Sequence, residues 1–77
     1  MEYFGPFFKC NFYEEEWRVE YYPKGKTNSV ITSHEHDEFL EENGYEDVVL
    51  FKASETRTQE AANLLNKAFS EGVVDVV

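Results

Sequence analysis

Apolar and polar residues alternate twice near the start of the chain. Across Phe7–Tyr13, Phe8, Cys10 and Phe12 fall on one side and Lys9 and Asn11 on the other. That period of two predicts a strand. Glu14 and Glu15 interrupt the pattern as a hairpin turn, although no Gly or Asn marks it. From Glu16 to Tyr22 the alternation resumes. Trp17, Val19 and Tyr21 point one way and Glu16, Arg18 and Glu20 the other, as expected of a strand with one wet face. Pro23-Lys24-Gly25-Lys26 reads as a turn, and Ser29-Val30-Ile31-Thr32, rich in β-branched residues, as a short third strand. Three strands with short connections favour an antiparallel meander.

The period then changes. Thr32-x-x-Glu35 fits a capping box, with Ser33 as the alternative N-cap. The following helix directs Phe39, Leu40 and His36 inward and stops at Gly44, with Tyr45 as the apolar follower. The apolar run within Asp47–Lys52 has the length of a strand buried on both faces. A longer helix follows, capped by Thr56-x-x-Gln59. Its stripe is Ala61, Leu64, Leu65, Ala68 and Phe69, and Gly72 with Val73 closes it. The tail from Val73 to Val77 either adds a last strand or lies along the sheet. The expected fold is therefore α+β. It is an antiparallel sheet of three to five strands in the order β-β-β-α-β-α, with a final β as an open alternative, and helices on one face.

At 77 residues the chain is expected to form a single domain, 1–77. Thirteen aromatics (seven Phe, five Tyr and one Trp) argue for a real core and against intrinsic disorder. Cys10 is the only cysteine, which excludes an internal disulfide and a cysteine-based zinc site. The start from Met1 to Phe8 lacks the basic and apolar regions of a secretory signal, and no apolar run approaches a membrane span. The expectation is a cytoplasmic protein, in the host cytoplasm if the source is viral. No Gly-rich phosphate loop, nucleophile elbow or Walker lysine occurs, so neither enzymatic activity nor a cofactor is expected. His34-x-His36 straddles a helix start, where residues two apart diverge, so a metal site is disfavoured. The alternative, a small metal-dependent enzyme, predicts metal retained through purification. Cys10 alternates with phenylalanines and reads as a buried apolar residue rather than a nucleophile.

Charge changes the picture most. The formal net charge is −9, which disfavours direct contact with nucleic acid or an anionic membrane. Glu35, Asp37, Glu38, Glu41, Glu42, Glu46 and Asp47 are seven carboxylates in a stretch without Lys or Arg. In a helix, Asp37–Glu41 and Glu38–Glu42 become like-charge neighbours, which weakens the fold and suits a cationic partner. A row of carboxylates on a rigid element can copy the phosphate spacing of a duplex and occupy a nucleic-acid-binding groove.

These residues, flanked by Tyr45, are the candidate contact set for a basic, nucleic-acid-binding protein. In size and charge, though not in motif, the chain is analogous to small phage-type anti-restriction and anti-CRISPR inhibitors and to DNA mimics. A solvated helix face that aids solubility is the competing interpretation. A further alternative is an assembly module or homodimer joined through exposed aromatics, with Met1 to Phe8 and one of Tyr21 and Tyr22 as the apolar surface. The acidic run Glu14-Glu15-Glu16 with Glu20 would enlarge the patch if it lay beside the helix.

Overall fold

The computed structural model describes residues 7–23 and 28–75. Its elements are strands β1 (Phe7–Tyr13), β2 (Glu16–Tyr22) and β3 (Val30–Ile31), then helices α1 (His34–Glu42), α2 (Glu46–Val49) and α3 (Glu55–Ser70). The protein is α+β, with an antiparallel sheet in the order β1-β2-β3. Much of the turn predicted at Pro23–Lys26, the apolar residues Met1 to Pro6 and the last two valines lie outside the described residues.

The alternation of the first two strands sets their register. Phe8 opposes Tyr21, Cys10 opposes Val19 and Phe12 opposes Trp17. Phe8, Val19 and Tyr21 are buried with Leu40, Val48 and the Ala61, Ala62, Leu65 and Ala68 stripe of α3 in one core. The inward face outruns the helix layer toward the hairpin turn. There Phe12 is 56% exposed and packs on Trp17, with the rings 4.7 Å apart. Glu14 and Glu15 form the turn with φ of 53° and 65°. A two-residue hairpin of matching twist requires both left-handed, at a cost of about 1 kcal/mol or more for each non-glycine residue.

The outer edge of β1 is closed at one point by a side chain. The Phe8 N–H donates to Asn66 Oδ1 (2.6 Å), and Asn66 Nδ2 donates to the Phe8 carbonyl (2.9 Å). Phe8 therefore turns its backbone away from β2, and the α3 amide completes a short piece of ladder at an edge where no other strand pairs among the described residues.

All three helices stop the same way. After α1, Tyr45 N–H bonds the Leu40 carbonyl (2.8 Å) and Gly44, at φ 86°, bonds that of Glu41 (3.2 Å). After α3, Val73 N–H reaches the Ala68 carbonyl (2.8 Å), with Gly72 at φ 79°. These are the Schellman closures that the two glycines predict. The third closure explains the main departure from expectation. Residues 47–52 do not form a central strand: Glu46–Val49 is helical, and Lys52 N–H bonds the Asp47 carbonyl (2.9 Å). Phe51 holds the left-handed position at φ 59°, where a glycine would ordinarily signal a stop. A four-residue apolar run fits either state. Here Glu46 and Asp47 favour a helix start, and only Val48 of the run is fully buried, while Leu50 and Phe51 are exposed. The described tail forms no final strand either; Val73 and Val74 bend, and Val74 enters the core.

Two caps also shift. Ser33, not Thr32, caps α1, with its hydroxyl accepting from the His36 N–H (3.4 Å). Ser54, not Thr56, caps α3, accepting from the Arg57 N–H (3.3 Å). Buried Thr58 returns a hydroxyl bond to the Ser54 carbonyl (2.8 Å), which draws the helix start two residues upstream.

Candidate functional site

Helix α1 is amphipathic in an unequal way. His36 and Leu40 are buried and Phe39 half-buried, so one side is committed to the core. At roughly 100° per residue, Glu35, Glu38, Glu41 and Glu42 fall on the remaining outer arc, and all four are exposed. Glu46 continues the exposed acids at the start of α2. Glu35 in the first turn complements the helix dipole. Glu41 and Glu42 in the last turn oppose it, and no basic residue occupies that turn.

The acids predicted as a contact set divide by partner. Asp37 is half-buried and accepts from the Thr32 hydroxyl (2.7 Å). Glu38 lies 3.7 Å from the exposed His34 imidazole, one turn back. Asp47 is taken up by Arg57 of α3, whose Nη2 and Nε lie 2.9 and 3.2 Å from its carboxylate oxygens. Arg57 also donates to the Gly44 carbonyl (2.8 Å) and lies over the Tyr45 ring at 4.4 Å. The hydrogen bond from Arg57 holds the Asp47 carboxyl below its ordinary value. Asp47 and half-buried Tyr45 therefore join a clasp linking the end of α1, α2 and α3. Among the described residues, no Lys or Arg lies within ion-pair distance of Glu35, Glu38, Glu41, Glu42 or Glu46. Sequence reading placed the acids correctly along the chain but missed Arg57. Its signal lies ten residues downstream of Asp47, on another helix.

The hairpin acids are of a different kind. Arg18 faces Glu16 at 3.1 Å and Glu14 at 3.7 Å, and Glu20 accepts from Asn11 (2.8 Å) and Ser29 (2.9 Å). Arg18 thus serves both Glu14 and Glu16, and Glu20 is held by neutral donors, whereas among the described residues no Lys or Arg reaches the outer acids of α1.

The histidines diverge. His34 is exposed, while His36 is 1% exposed and bonded through both ring nitrogens, so the two do not converge on one ligand. Among the described residues, no group of three or more His, Cys, Asp or Glu is placed to hold a metal. Cys10 is half-buried with its Sγ 4.0 Å from the Glu55 carbonyl. Burial, then the Glu55 charge, pushes its thiol up and disfavours the nucleophilic thiolate. No helix among the described residues is long and apolar enough to cross a membrane. Comparison with protein-family models, curated proteins and solved structures finds no match for the chain.

Proposed function

We propose that this chain is a small acidic, non-catalytic binding protein that covers a basic, nucleic-acid-binding surface of a partner, acting as an anti-defence inhibitor or DNA mimic in the cytoplasm. One observation carries the reading. The outer arc of α1 presents Glu35, Glu38, Glu41 and Glu42, continued by Glu46, without a described lysine or arginine to neutralise them. The helix is held on three sides by the core, the Tyr45–Arg57–Asp47 clasp and the Ser33 cap, so the charges stand on an ordered support. Preorganised charge of one sign speeds encounter with the opposite sign and fixes its register.

The test is capture of proteins on the immobilised chain at low and high salt, beside the variant Glu38→Lys/Glu41→Lys/Glu42→Lys. The reading expects basic nucleic-acid-binding proteins on the wild type at low salt, their release by salt, and their loss from the variant. Equal capture by the folded variant overturns it.

A second reading has its own observation. Phe12, Tyr13 and Ile31 are exposed and, with Arg18 and Tyr22, line a groove of about 540 Å³ on the sheet. Self-association through that surface would hold or tighten as salt rises, the opposite of the electrostatic expectation.

A further inference from the structure

A small cavity lies between β2, β3, α1 and α2. It holds about 60 Å³ and is walled mainly by apolar side chains, among them Val19, Leu40 and Val48. Two charged residues also line it: Arg18 from β2 and Asp37 from the first turn of α1. They do not pair with each other. The ion pairs of Arg18 are with Glu14 and Glu16, and Asp37 Oδ1 accepts from the Thr32 hydroxyl (2.7 Å). The Arg18 guanidinium lies over the rings of Tyr13 and Phe51, at 5.3 and 4.8 Å, which holds it in place. Its Nη2 meets the glutamates, but its Nε is buried and finds no acceptor among the described residues. A buried donor on a charged group that makes no hydrogen bond is costly, so a partner for it is expected.

We infer that this cavity is a binding site for ordered water, in which one molecule accepts from the Arg18 Nε–H and donates to the Asp37 carboxylate. The volume fits: a water occupies roughly 30 Å³, so the cavity admits one with room for a second. The chemistry is selective. One wall offers a donor and another an acceptor, and water serves both at once. An anion would meet the like charge of Asp37, and a cation that of Arg18. An apolar guest would leave the Nε–H unmade. Ile31 and Phe51, which also line the cavity, are exposed, so water has a way in. The bridge ties β2 to the start of α1 across a gap that no direct contact between Arg18 and Asp37 spans, and the apolar walls strengthen it. The site follows from this geometry alone and does not depend on the functional proposal.

Nuclear Overhauser measurements to water test the site on the wild-type chain. Cross-peaks are expected at the Arg18 Nε–H and at the methyls of Leu40 and Val48, which are 1% and 2% exposed and so out of reach of bulk solvent. None is expected at the methyls of Leu65, which is equally buried but does not line the cavity. Methyl hydrogens do not exchange with solvent, so a cross-peak there reports contact. Arg18→Met removes the donor and should lose the Leu40 and Val48 cross-peaks. A dry cavity would behave differently: it would take up xenon, and the wild-type Leu40 and Val48 methyl signals would shift under pressure of the gas. That shift, or the absence of water cross-peaks at the Nε–H and both methyl pairs, overturns the proposal. So do cross-peaks that Arg18→Met leaves unchanged. The wild-type measurements decide the matter even if Arg18→Met does not fold.

Discussion

Replacing Glu41 and Glu42 by lysine should make the isolated protein more stable while reversing two of the five exposed acids of its outer surface. Both glutamates are exposed and lie in the last turn of α1, where the helix carries no basic residue. Each also sits one turn from another acid: Asp37 precedes Glu41, and Glu38 precedes Glu42. A like-charge pair at this spacing costs about 0.2–0.5 kcal/mol, and the opposite pair returns a similar amount. Reversal of two pairs therefore contributes about 1 kcal/mol. Replacing anions by cations at the negative end of the dipole adds about 1 kcal/mol more at low ionic strength. The sum, about 2 kcal/mol, is large against a total stability of about 4–12 kcal/mol for a chain this size. It corresponds to a rise in Tm on the order of 10 °C.

Urea unfolding followed by Trp17 fluorescence and far-ultraviolet circular dichroism at low salt measures it. High salt, about 1 M, should erase most of the gain by screening. A variant no more stable than the wild type, or a gain indifferent to salt, would show that these acids are not in mutual repulsion. Either result would mean that these acids are not placed for an external cation.

Three further outcomes follow from the same structure. Replacing the left-handed pair by Glu14→Asn/Glu15→Gly should stabilise the hairpin by about 1–2 kcal/mol in urea titration, because both residues now hold positive φ without the side chains suited to it. Asn66→Ala should cost about 2 kcal/mol, one ordinary bond for each Phe8 backbone group it leaves open. Amide exchange at Phe8 should accelerate, and unchanged protection there would contradict the edge-closing role. The Asp47 carboxyl is held below its ordinary 3.8 by the Arg57 hydrogen bond, so its contribution is complete above about pH 4 and fades as pH falls through the lowered value. Acid titration of Arg57→Met should lose that component, and an identical acid limb in both proteins would contradict it.

Much of the fold was legible because the patterns were periodic. Two alternating heptapeptides specified the hairpin and its inward face, and the Ala61–Phe69 stripe specified α3. Gly44 and Gly72 marked helix stops that the backbone uses. The segment 47–52 was misread because the run Val48-Val49-Leu50-Phe51 has no period, and its stop is a phenylalanine in a glycine's conformation. The cap of α1 was blurred by two overlapping frames, Thr32 with Glu35 and Ser33 with His36. Only the second frame places an imidazole nitrogen on the Ser33 N–H. The acids of the candidate site were contiguous in sequence and so could be found by counting charge. Which of them remain uncompensated depends on Arg57 reaching back from α3, a tertiary contact that local spacing does not encode.

The most direct test of the functional account is displacement. A captured basic partner, loaded with duplex DNA, is titrated with the wild-type chain and with the Glu38→Lys/Glu41→Lys/Glu42→Lys variant under identical salt. The account predicts that the wild type releases the DNA and that the variant, although folded, does not. Release by both proteins alike, or binding that leaves the DNA in place, would contradict it.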